Sequence, residues 1–80
     1  MRLDKYLKVS RLIKRRTVAN EACSKGRVLV NGKVGKPGSE VKEGDILEIA
    51  LGERRMRVRI LSLVEHVRKE EAAGMFEIVE

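Results

Sequence analysis

Eighty residues with a formal net charge of +6 and a 42% apolar share make one small domain, with a single core and a thin stability margin. Tyr6 and Phe76 are the only aromatics, which counts against single-strand binding by base stacking, and the one cysteine, Cys23, excludes an internal disulfide and an all-cysteine zinc site. No apolar run has the length of a membrane span and the N-terminus lacks the apolar core of a secretory signal, so a cytoplasmic protein is expected.

The first helical pattern runs from Arg2 to about Val9. Leu3, Tyr6 and Leu7 recur at i, i+3 and i+4, and Asp4 in the first turn suits the positive end of the helix dipole. Ser10 either ends this helix or caps a short continuation through Leu12 and Ile13. A second helix spans about Arg16 or Thr17 to Lys25, with Val18, Ala19, Ala22 and Cys23 as its apolar stripe. Thr17 or a preceding residue is expected to cap it, and Gly26 to stop it in the left-handed conformation common past a helix end. The two make a helical hairpin.

The period then changes from 3.6 to 2. Val28 and Val30 alternate with Arg27 and Leu29, Asn31-Gly32 predicts a type I′ turn, and Lys33-Val34 begins the return. Gly35 to Ser39 reads as a plain loop: it lacks the Walker spacing and the strand–loop–helix context of a phosphate loop. Ile46 to Leu51 and Arg55 to Leu63 predict a hairpin about Gly52-Glu53, with Gly at the first position of a II′ turn. In that register Leu47 faces Val58, Glu48 faces Arg57, Ile49 faces Met56 and Leu51 faces Arg54, so apolar pairs fall on one face and a charge pair on the other. A last helix is expected from about Lys69 to Val79, weakened by Gly74 by roughly 1 kcal/mol relative to Ala. The fold class is α+β: two N-terminal helices on a small, mostly antiparallel sheet, plus a short C-terminal helix.

The charges divide unevenly. Through Lys36 eleven bases face two acids, a balance of +9; from Pro37 onward seven bases face ten acids, −3. A polyanion gripped at one end follows from this split. Arg2, Lys5, Lys8, Arg11 and Lys14 recur every three residues. On one straight helix they would spiral round the surface, since each step falls about 60° short of a turn; a break near Ser10 turns them to one side. Lys14, Arg15 and Arg16 stand at the entry to the second helix, where guanidinium and free N–H groups can meet a phosphate together. Lys25 and Arg27 complete the polyanion-binding candidates. Arg55, Arg57 and Arg59 form a second row on one face of a strand, where charges also serve to block aggregation.

Nothing points to catalysis or to a metal or cofactor. His66 is the only histidine and lies in a charged stretch; Cys23 sits on an apolar stripe and reads as a core residue. An interfacial membrane anchor would need a bulky Trp or Phe face that the basic helices lack.

Arg2-Leu3-Asp4-x-x-Leu7, Arg16-Thr17-x-Ala19, Gly26-x-Val28-x-Val30-Asn31-Gly32 and Gly44-Asp45-x-Leu47 together resemble the RNA-binding domain first described in ribosomal protein S-four, the alpha-L motif. The resemblance covers about residues 1–51, with Arg15 where many members have Ser. It implies that the helices form the RNA-facing surface. Arg2, Asp4, Arg11, Lys14, Arg15 and Arg16 carry over as the contact set, with Asp4 as an organiser pairing a neighbouring arginine, and Thr17, Gly26, Asn31 and Gly32 as its support. The segment Met1 to Asn20 and the short, acidic-ended chain look most like the RqcP family of bacterial ribosome-associated quality control. That likeness implies a monomeric, non-catalytic partner of large-subunit rRNA and peptidyl-tRNA on obstructed subunits, acting beside an RqcH-type factor that adds C-terminal alanine. The alternatives are a heat-shock-type ribosome-recycling factor and the detached targeting domain of an rRNA-modifying enzyme; the chain shows no room for the latter's second domain.

Overall fold

A computed structural model describes residues 1–79. Helix α1 spans Leu3–Val9 and α2 spans Arg16–Ser24. Five strands follow: β1 Val28–Val30, β2 Lys33–Val34, β3 Ile46–Leu51, β4 Arg54–Ile60 and β5 Phe76–Ile78, with a 3-10 helix, Lys69–Met75, before the last. They form one antiparallel sheet in the order β2-β1-β3-β4-β5.

The pleat sorts the sheet into two faces. On the inner face the rows Val28–Ile49 and Leu47–Val58 are buried beneath Leu3, Tyr6 and Leu7 of α1 and Ala19, Ala22 and Cys23 of α2. The outer face carries Leu29–Glu48–Arg57 and Ala50–Arg55, none of them buried. Inside the core, the Tyr6 hydroxyl donates to the Met75 carbonyl at 2.8 Å, which ties α1 to the C-terminal segment. That bond satisfies a phenol that burial would otherwise penalise, and burial also raises its pKa.

The local punctuation follows from stereochemistry. Gly26, at φ +71°, ends α2 in a Schellman motif: the Arg27 N–H donates to the Ala22 carbonyl and the Gly26 N–H to the Cys23 carbonyl, each at 3.0 Å. Asn31 and Gly32 both have positive φ, as a type I′ turn requires. Gly52 is positive while Glu53 is not, which fits II′, and the β3–β4 register is the one its apolar and charged pairs demanded. The Asn31 amide also bonds Asp45 and the Ile46 N–H, so this turn is clamped to the start of β3.

Several expectations change. Thr17 does not cap α2; the N-cap is Arg15, and no side chain caps it. Val18 is 43% exposed, because α2 rotates its small residues, Ala19, Ala22 and Cys23, against the sheet. Of the two readings of Ser10, the structure takes the first: Ser10 is the C-cap of α1, its hydroxyl bonds the Leu7 carbonyl, and Arg11 takes φ +62°, the left-handed conformation that redirects the backbone. The expected C-terminal helix to Val79 stops at Met75 and is 3-10, with buried Ala72 and Met75 three apart, the period of that helix. Phe76–Ile78 is a strand that closes the free edge of β4, and β4 itself ends at Ile60 rather than Leu63. Gly35 is no plain loop residue. A Cβ there would lie 2.6 Å from Leu3 Cδ2 and 2.9 Å from Val30 Cγ2, so its bare backbone lets α1 close onto β1.

Candidate nucleic-acid interface

The two helices begin differently. At α1 the chain closes its own donors: the N–H groups of Leu3 and Asp4 donate to the carbonyls of Ser39 at 2.8 Å and Pro37 at 3.2 Å, and the Lys5 N–H to Asp4 Oδ1 at 2.8 Å. At α2 nothing does this. Among the described residues the N–H groups of Arg16, Thr17 and Val18 have no protein acceptor, and no acid sits in the first turn. The positive pole of α2 is therefore open to an anion from outside.

Asp4 stands beside this opening. Its side chain is 3% exposed, and a buried carboxylate must be paired. Arg2 donates through Nε to Oδ1 at 3.2 Å and through Nη2 to Oδ2 at 3.4 Å; Arg16 Nη2 lies 3.5 Å from Oδ1; Asn20 Nδ2 reaches Oδ2 at 3.4 Å. Burial pushes the Asp4 pKa up, but the hydrogen bonds from Asn20 and Arg2 and the charges of Arg16 and Arg2 outweigh it and hold the carboxyl below its ordinary value. Asp4 stays ionised and braces two arginines that stand at the starts of two different helices. Both arginine side chains remain about half exposed, at 51% and 49%, so each keeps guanidinium edges free for an outside anion. Asp4, Arg16, Thr17 and Asn20 line a concavity of about 370 Å³ here.

Of the candidate residues, the structure brings Arg2, Asp4, Arg16 and Thr17 to this one place. Lys8, Arg11, Lys14 and Arg15 are exposed, and among the described residues none has an ion-pair partner. Lys5 instead turns to Glu65 at 3.2 Å, which holds the Glu65 pKa down, and Lys25 is held by Glu21 at 2.7 Å. Arg27 does not join the helical cluster. It lines a separate cavity with Arg55 and Arg57. Gly26, Asn31 and Gly32 act on the backbone and lie outside the concavity's lining.

Asn20 was missed as a site residue, being read as an outward polar position. Its spacing of four from Arg16, one turn along the same helical face, is the signal that could have found it. Cys23 is buried, and desolvation, with the negative charge of Asp4, pushes its thiol up to about 11, as suits a core residue rather than a nucleophile. Among the described residues no group of His, Cys, Asp and Glu side chains could hold a metal ion, and no helix is long and apolar enough to cross a membrane.

The family model described as the S4 domain matches residues 1–47. A protein of Halalkalibacterium halodurans named RQC P-site tRNA stabilizing factor is 58% identical over 78 residues, covering 98% of this chain and 89% of its own. A protein of the same name from Streptococcus pneumoniae is 52% identical over 79 residues, covering 99% and 90%. Among solved structures, the trimeric heat shock protein 15 of Vibrio cholerae matches with a TM-score of 0.92 at 28% identity, over 99% of this chain and 81% of that one.

Proposed function

This chain belongs to the S4 domain family, alongside relatives named RQC P-site tRNA stabilizing factor, and on that premise we propose that it is a cytoplasmic, non-catalytic RNA-binding factor of ribosome-associated quality control. It binds rRNA and peptidyl-tRNA on obstructed large subunits and steadies the tRNA while an RqcH-type factor extends the stalled chain with alanine. The observation that carries the RNA-binding part is the pairing of a buried carboxylate with two half-exposed arginines at the uncapped start of α2. An RNA phosphate is the ligand this place fits. The guanidinium edges of Arg2 and Arg16 and the free N–H groups of α2 all donate, and Asp4 fixes the arginines before the phosphate arrives, which lowers the ordering cost of binding.

The test is sedimentation of lysate through a density gradient, with the salt dependence of RNA binding measured on purified protein. Co-migration with free large subunits is expected. If about five phosphates are neutralised, the slope of log affinity against log salt lies near −4, at roughly 0.7–0.9 per contact. A protein that stays at the top of the gradient, or a slope near zero, overturns the reading. A heat-shock-type ribosome-recycling role is the second reading, favoured by the 0.92 TM-score to heat shock protein 15. Loss of alanine tails on deletion of this chain separates the first from the second. The working unit is a monomer, which analytical ultracentrifugation tests, since the Vibrio cholerae relative is trimeric.

A further inference from the structure

The outer face of the sheet holds a second basic surface, turned away from the helices. Arg27, the residue before β1, lies beside Ala50 of β3 and Arg55 of β4: the Ala50 N–H donates to the Arg27 carbonyl at 2.9 Å, and Ala50 pairs with Arg55. Strands spaced about 4.8 Å apart set the two arginine backbones roughly 10 Å apart across the small side chain of Ala50. The next row, Leu29–Glu48–Arg57, adds a third guanidinium two residues from Arg55. Together these residues line a cavity of about 310 Å³. Three arginines meet there with one carboxylate, Glu48, which reaches Arg57 at 3.9 Å; among the described residues Arg27 and Arg55 have no ion-pair partner.

We propose that this dish is a second phosphodiester-binding site, so that the protein bridges two RNA segments, one on the helices and one on the sheet. Like charges gathered in a cavity whose lining also includes Gly26, Leu29, Ile49, Ala50 and Met56 repel one another when it is unoccupied and are relieved by an anion entering between them. Arg55 and Arg57 stand two residues apart along β4, a spacing that fits the repeating charge of a nucleic-acid strand better than the irregular acids of a protein surface, while Arg59, next in the row, is held by Glu77 and lies outside the cavity's lining. The sheet separates this site from Asp4 and Arg16, because the core packs on the opposite face. The bridging claim rests on the RNA role proposed for the helices; the sheet site itself does not.

The experiment uses the full chain with short donor- and acceptor-labelled RNA hairpins, reading affinity by anisotropy and bridging by energy transfer between the two labels. The Arg27→Ala/Arg55→Ala/Arg57→Ala variant is expected to keep binding one hairpin but lose the transfer, with a salt slope shallower by about 2–3 at roughly 0.7–0.9 per phosphate. Arg55→Glu serves alone if the triple variant melts early. Unchanged transfer and slope in both overturn the proposal. So does retained RNA binding and transfer with weakened co-sedimentation on ribosomal subunits, which would make the face a protein dock. Arg2→Ala/Arg16→Ala reports on the other face: if it leaves hairpin affinity at the wild-type value, the helical reading fails while the sheet result stands.

Discussion

Replacing Arg16 by Ala should separate affinity from stability. In the folded protein Arg16 makes one contact that matters to the fold, Nη2 to Asp4 Oδ1 at 3.5 Å, on a side chain that is 49% exposed. Solvent screening limits such a pair to about 0–1 kcal/mol. Asp4 also keeps Arg2, Asn20 and the Lys5 N–H after the change, so no bare buried charge is created. Melting should therefore move by no more than that amount. RNA binding should lose a charge-assisted phosphate contact at the open end of α2, about 1–3 kcal/mol, or roughly 5- to 150-fold in affinity. Arg16→Lys should recover part of this, because a lysine supplies charge without the two-pronged geometry or the brace to Asp4. Large-subunit co-sedimentation and thermal melting on the same samples make the comparison. An affinity equal to wild type in Arg16→Ala, or a loss matched by unfolding, refutes the role given to this arginine.

Other outcomes are expected from different parts of the molecule. Gly35→Ala drives a methyl into Leu3 and Val30 and should cost about 1–3 kcal/mol in denaturant melts, while Gly32→Val, with nothing within 4 Å, should lose about 1–3 kcal/mol through backbone strain alone; equal stability to wild type would exclude the close approach or the turn. Arg11→Gly should gain about 0.5–1 kcal/mol by relieving a left-handed arginine while weakening RNA binding, and a loss of stability would show that its side chain holds the chain reversal. Because the folded Asp4 pKa is lowered, the stability it confers is fully present above the ordinary carboxylate value of about 3.9 and is lost as pH falls through the lowered value. Asp4→Asn should remove that part of the acid sensitivity, and identical pH–melting profiles for the two proteins would count against the arginine brace.

What the sequence determined by itself is what near neighbours in the chain decide. Asn31-Gly32 and Gly26 announced their conformations because positive φ is a property of those residue types. The β3–β4 register was legible because a slip of one residue would turn Leu47 and Ile49 away from the face of Val58 and Met56, and the two-residue Gly52-Glu53 turn selects among the registers that remain. The charge split between the halves pointed to a polyanion, whereas the pairing of Asp4 with an arginine was implied only by the family resemblance. Tertiary structure decided the rest, because its causes lie far apart in sequence. Phe76–Ile78 is a strand because β4, some twenty residues earlier, offers a free edge, and Gly35 is indispensable because Leu3 packs against it. Lys5 and Lys25 look alike as surface bases until folding sets Glu65 beside the first, whereas Glu21, one helical turn away, holds the second. Arg27 reads as a continuation of the helical basic set; the pleat of β1 turns it to the opposite face, beside Arg55, because one residue of register decides which side of a sheet a side chain occupies.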